Sequence, residues 1–199
     1  MKLRYYQQEA IDETLKWLDT QQTHPLIVLP TGSGKTVVFT TIIKQLFDRD
    51  PDCRVLILAH RQELVSQAKD KLLSVWPCAP CGILAAGLKE FDASSPVVIA
   101  SRDTLATPKR LEDAGDFDYI IVDEAHQQKQ AKASQVFQKH AESGASLIGF
   151  TATPVDLSHL YDDLEAVCVN SDMRSKSLGY PAHVPALIYG CPEMDTSKL

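Results

Sequence analysis

Six short apolar runs punctuate the chain, at residues 26–29 (LIVL), 55–59 (VLILA), 81–85 (CGILA), 97–100 (VVIA), 119–122 (YIIV) and 147–150 (LIGF). None alternates strictly between apolar and polar positions. A strand with one wet face alternates, whereas a strand covered on both faces does not, so these runs predict the buried strands of a parallel sheet. Between them lie stretches with helical spacing. Residues 7–18 set Ile11, Leu15 and Leu18 on one face, and residues 61–75 do the same with Leu64, Ala68, Leu72 and Val75. Residues 35–47 follow a glycine turn, and 131–142 are a further candidate. Strands alternating with helices predict βαβ units, hence an α/β domain whose mainly parallel sheet is sandwiched by helices. Ligands of such folds bind at the carboxyl ends of the strands.

Composition narrows this picture in three ways. The length of 199 residues suits one full domain. No apolar run approaches the ~18–20 residues that span a bilayer, and the start, MKLRYYQQEAIDE, lacks the apolar core of a secretory leader, so no membrane association is expected. Five cysteines, an odd number, argue for a reducing interior such as the cytoplasm. Cys78 and Cys81 have C-x-x-C spacing, but no second pair stands where a four-ligand zinc site would need it.

The formal charge of -6 is unevenly placed: seven acids and three bases follow Pro154, leaving residues 1–154 nearly neutral. The same tail carries Pro181, Pro185 and Pro192 beside Gly179 and Gly190. The expected organisation is therefore a domain over 1–155 and an acidic extension over 156–199. This balance excludes a histone-like binder that relies on global positive charge. It leaves open a protein that grips a few phosphates through local contacts.

Two strand ends carry chemistry. After the first run the chain reads Leu29-Pro30-Thr31-Gly32-Ser33-Gly34-Lys35-Thr36. A glycine-rich turn between a buried strand and a helix points backbone N–H groups at a polyphosphate. Lys35 can reach the β- and γ-phosphates, and the Thr36 hydroxyl can bind Mg²⁺. One departure from the general pattern is Leu29, where a first glycine is usual. The fifth run ends in Asp123-Glu124-Ala125-His126. Asp123 can hold Mg²⁺ through its waters, and Glu124 can orient or deprotonate an attacking water. His126, with these neighbours, reads as a relay sensing the nucleotide.

Taken together, the motifs resemble the first RecA-like domain of a superfamily 2 helicase or translocase. LPTGSGKT resembles motif I and DEAH motif II. AHRQEL (59–64) resembles motif Ia, ASRDTL (100–105) motif Ib and TATP (151–154) motif III. LRYYQ (3–7) is similar to the LRxYQ element of the branch holding Ssl2-like, Irc3-like and restriction-enzyme motors. The upstream elements differ from those of DEAH-box RNA helicases, so the four letters DEAH do not place the chain there.

The resemblance implies roles residue by residue. Gln7 and Arg4 would read adenine, an amide matching its paired donor and acceptor. Thr31, Gly32, Ser33, Gly34, Lys35 and Thr36 would hold ATP, with Mg²⁺ on Thr36 and, through water, Asp123. Lys35, Asp123 and Glu124 would be catalytic, and His126, Thr151 and Thr153 would couple nucleotide state to grip. His60, Arg61, Ser101, Arg102 and Thr104 would contact a nucleic-acid backbone, DNA rather than RNA. Arginine fingers, worth ~10³–10⁵ in rate, come in such motors from a second RecA-like domain. The 45 residues after Pro154 cannot hold one. The expectation is thus half a motor, weak alone; the alternative is a stand-alone regulatory module that binds nucleotide or a partner without turnover.

Overall fold

All six apolar runs are strands in the computed structural model, which describes residues 2–20, 24–59, 61, 63–88, 90–125, 136, 139, 143–152 and 164–165. They are β1 (His24–Val28), β2 (Val55–Ala59), β3 (Cys81–Ala85), β5 (Val97–Ser101), β6 (Tyr119–Val122) and β7 (Ser146–Thr151). Two short strands join them, β4 (Glu90–Phe91) and β8 (Leu164–Glu165). The order across the sheet is β4-β3-β5-β2-β6-β7-β1-β8. Every described pairing is parallel except the β3–β4 hairpin at one edge.

The uninterrupted apolar runs resolve into two cores, one on each face, because successive side chains of a strand point to opposite sides. From β2, Val55, Ile57 and Ala59 enter one core while Leu56 and Leu58 enter the other. The same division runs through β5, with Val97 and Ile99 on the first side and Val98 and Ala100 on the second. Three helices cover the first side: α1 (Tyr5–Thr20), α2 (Lys35–Arg49) and α3 (Glu63–Val75). They bury Ile11 and Leu15, Ile42 and Ile43, and Val65 and Leu72 respectively. Two short helices, α4 (Arg102–Leu105) and α5 (Pro108–Asp113), send Leu105 and Leu111 into the second. The helix expected over 131–142 lies outside the described residues, save Val136 and Lys139, as does the extension 156–199 apart from β8.

Helix α1 begins two residues before the apolar spacing predicts, and its first turn explains why. The Arg4 carbonyl accepts from the N–H groups of Gln7 and Gln8, and the Gln7 side-chain Oε1 accepts in turn from the Arg4 N–H at 3.0 Å. This is the reciprocal half of a capping box, with glutamine three residues after the cap. Helices α4 and α5 are each too short to show a period in the sequence. Their signals are local: Ser101 Oγ accepts from the Thr104 N–H, and Pro108 opens α5.

Arg54 fastens the amino ends of the central strands. Its guanidinium donates to the carbonyl oxygens of Ala93 (2.6 Å), Ala114 (3.2 Å) and Asp116 (2.7 Å), and lies over the Phe117 ring at 4.6 Å. Its backbone N–H donates to Asp118 Oδ2 at 2.7 Å. Arg54→Met keeps the stem and removes the fork, leaving three carbonyls to find water. We expect a loss of about 2–4 kcal/mol in urea unfolding, with Arg54→Lys no better because an ammonium lacks the planar fork.

Candidate functional site

Parallel register brings sequence-distant motifs to one rim. Ala59 is level with Ser101, Leu58 with Val122, Val122 with Gly149, and Val28 with Thr151. The segments after β1, β7, β6, β2 and β5 therefore leave the same edge of the sheet. At ~4.8 Å per strand, the rim runs from the phosphate loop after β1, past Thr151 and Asp123, to Arg61 and Ser101.

The loop after β1 turns through two left-handed glycines, Gly32 (φ 79°) and Gly34 (φ 85°), the second capping α2. A Cβ on Gly34 would stand 2.5 Å from Gln7 Nε2, so a side chain here would strain the backbone and push the Gln7 amide aside. Ser33 is buried, and its Oγ has no hydrogen-bond partner among the described residues. Lys35 Nζ reaches across to Glu124 Oε1 at 2.9 Å, joining residues 89 apart in sequence. Thr36, Asp123 and Glu124 line one cavity of about 60 Å³ between α2 and α3.

Asp123 and Glu124 sit in different settings despite their adjacency. Glu124 has φ 50°, a left-handed conformation unusual outside glycine and of the kind that collects at functional sites. The turn aims the two carboxylates differently and lets Asp123 Oδ1 accept from the Glu124 N–H at 3.0 Å. Burial, and then the charge of Glu124, push the Asp123 carboxyl above its ordinary range, against the pull of Lys35 and Lys71. Apolar spacing did not single out Lys71 and Gln67. Both stand on α3 and line the cavity holding the two carboxylates.

A carboxyl raised in the folded state holds its proton more tightly folded than unfolded. Its ionised form then costs stability near neutral pH, and that cost fades as pH falls through the folded value. Asp123→Asn should accordingly raise the melting temperature of the ligand-free chain at pH 7–8 and lose this advantage on acidification. Thermal scans across pH check this; a variant that melts at or below wild type at neutral pH contradicts it.

The donor set fits a magnesium-bound polyphosphate. A buried hydroxyl without a partner and a lysine paired with a carboxylate it would leave, both among the described residues, with a hydroxyl and two carboxylates around one cavity, are what such a ligand needs. Among the described residues no three His, Cys, Asp or Glu side chains form a cage. Mg²⁺ needs none, since it keeps waters and takes phosphate oxygens as ligands.

The upstream element packs directly on the phosphate loop. Gln7 Nε2 donates to the Ser33 carbonyl at 2.9 Å, Tyr6 Oη donates to the same oxygen at 3.0 Å, and Arg4 Nη1 donates to Tyr6 Oη at 3.0 Å. Among the described residues, the Gln7 amide has one N–H and one lone pair beyond these bonds. Thr31 and Gly32 are exposed on the loop. Thr151 is buried, and its carbonyl accepts from the Leu29 N–H at 2.9 Å, fastening the end of β7 to the strand that feeds the loop.

Farther along the rim, Arg61 is exposed just before α3, while Arg102 is buried. Ser101 and Thr104 are also buried, their hydroxyls 2.9 Å apart, and Thr104 Oγ1 accepts from the Ala86 N–H at 3.4 Å. Their side chains cap α4 and tie it to the end of β3. His60, His126 and Thr153 lie outside the described residues.

Fold and phosphate loop together define a P-loop NTPase domain of the RecA-like type. The model of the type III restriction enzyme res subunit matches residues 1–156, and the chain belongs to that family, resembling the first RecA-like lobe of superfamily 2 helicases and translocases. IRC3 of Saccharomyces cerevisiae, named as an ATP-dependent helicase, is 34% identical over 161 residues, covering 76% of this chain and 23% of that protein. The DNA 3'-5' translocase XPB2 of Sulfurisphaera tokodaii is 30% identical over 155 residues, covering 77% of this chain and 31% of that one. The chain therefore spans less than a third of either relative. The solved SWI2/SNF2 ATPase core of Sulfolobus solfataricus, in complex with dsDNA, shares the fold at a TM-score of 0.62 with 16% identity, over 78% of this chain and 33% of that one. Among the described residues no helix is long and apolar enough to cross a membrane.

Proposed function

We propose that this chain is the ATP-hydrolysing first lobe of a DNA-dependent helicase or translocase. The observation that carries the reading is the meeting of Lys35 and Glu124 at 2.9 Å beside Thr36 and Asp123. A polyphosphate would take Lys35 from Glu124, and the freed carboxylate could then accept the proton of an attacking water. Thr36 and, through water, Asp123 would hold Mg²⁺, which supplies charge neutralisation on the phosphates. Gln7 and Arg4 would select adenine. Thr151, with His126 and Thr153, would couple nucleotide state to nucleic-acid grip, for which Arg61, His60 and Arg102 are the candidates to hold backbone phosphates. Ser101 and Thr104 would act by shaping α4.

DNA is preferred over RNA because XPB2 is named a DNA translocase and the Sulfolobus core was solved on dsDNA. We take residues 1–155 as the lobe and 156–199 as the start of the path to a second one, which would bring the arginine fingers. The test is ATP turnover by a longer protein carrying that second lobe, with no nucleic acid, duplex DNA or RNA. Stimulation by DNA above RNA is expected. A folded, ATP-binding protein that shows no turnover with or without nucleic acid would instead favour the regulatory module.

A further inference from the structure

The geometry points to Tyr6 as a positioning residue for the phosphate loop, an assignment resting on the nucleotide-binding reading above. Tyr6 is 2% exposed, and its hydroxyl lies between the Arg4 guanidinium and the Ser33 carbonyl, 3.0 Å from each. Arginine only donates, so the hydroxyl must accept from Arg4 and spend its own hydrogen on Ser33. Gln7 Nε2 takes the second lone pair of the same carbonyl. Both acceptor sites of Ser33 O are thus filled from α1.

A trans peptide is planar, with its N–H directed opposite to its C=O. Holding the Ser33 oxygen against α1 therefore fixes the Gly34 N–H pointing away from α1. Successive N–H groups of such a loop make the anion cradle, and Tyr6 pre-sets one of them. The loop needs this help. Gly32 and Gly34, both at positive φ, leave its backbone otherwise free to sample many states. One anchor at Gln7 would leave the peptide plane able to swing about a single bond; the second stops it.

Tyr6→Phe isolates the effect, since it keeps the buried ring and its edge contact with Tyr5 (centroids 5.6 Å apart) and removes only the hydroxyl. Binding of ATP, GTP and inorganic tripolyphosphate, each with Mg²⁺, is measured on the 199-residue chain, together with amide exchange along residues 5–40. All three ligands should weaken by the same factor, about three- to tenfold for one lost hydrogen bond. The ATP-to-GTP ratio should hold, and exchange should quicken in the loop while the rest of α1 keeps its protection. Unchanged affinities overturn the assignment. So does a shifted ATP-to-GTP ratio with tripolyphosphate unaffected, which would make Tyr6 a base-reading residue. Protection lost evenly along α1 would reduce it to a packing residue. A wild-type chain that binds none of the three removes the nucleotide reading itself, whereas a wild type that binds normally beside an unchanged variant removes only the role of Tyr6.

Discussion

Glu124→Gln is expected to cut ATP turnover by about 10²–10⁴-fold, the usual worth of a positioned general base, while leaving nucleotide binding intact or tighter. The second half follows from the ligand-free contact. Glu124 Oε1 holds Lys35 Nζ at 2.9 Å, with Lys35 nearly enclosed at 11% exposure. A polyphosphate must displace that carboxylate to gain the ammonium. A neutral amide competes less, so the variant starts closer to the bound state. Turnover is read in a protein with both lobes, and affinity on the 199-residue chain by titration with Mg-ATP. A variant that binds ATP much more weakly than wild type would mean that Glu124 builds the pocket and does not compete with the ligand.

Gly34→Ala should damage binding itself. The residue has φ 85°, where a Cβ costs about 1–2 kcal/mol, and that Cβ would meet Gln7 Nε2 at 2.5 Å. The amide must then leave the Ser33 carbonyl, forfeiting about one hydrogen bond. Together these terms come to about 2–3 kcal/mol, up to ~100-fold in affinity if the bound loop bears them in full. Titration of the variant with Mg-ATP reads the loss. An affinity equal to wild type would show that neither the dihedral nor the contact carries a cost.

Much of this fold was legible because buried parallel strands write themselves as unbroken apolar runs. Val55–Ala59 and Tyr119–Val122 begin and end where the letters indicate. Gly34-Lys35-Thr36 and Asp123-Glu124 were legible for another reason: each sits at a strand end, where the fold class demands ligands. What escaped was short or distant. The two-residue β4 has no period to detect. The buried state of Ser101 and Thr104 depends on the β3 end meeting α4, a contact between residues 18 apart that no local pattern encodes. Tyr6 appeared only as a neighbour of Gln7, since nothing in its own window says that Ser33 lies above it.

The shared carboxyl edge of β1, β7, β6, β2 and β5 has an evolutionary corollary. The rim depends on which strand lies beside which, and five of the seven steps across the sheet join strands that are not consecutive in the chain. Connections at the opposite edge, such as the exposed turn at Pro51–Asp52, only determine the sequence in which the motifs are read along the chain. A rearranged gene that kept the strand neighbours would present the same edge with its motifs in a different order. The chemistry of the edge thus places no demand on the left-to-right succession of the motifs.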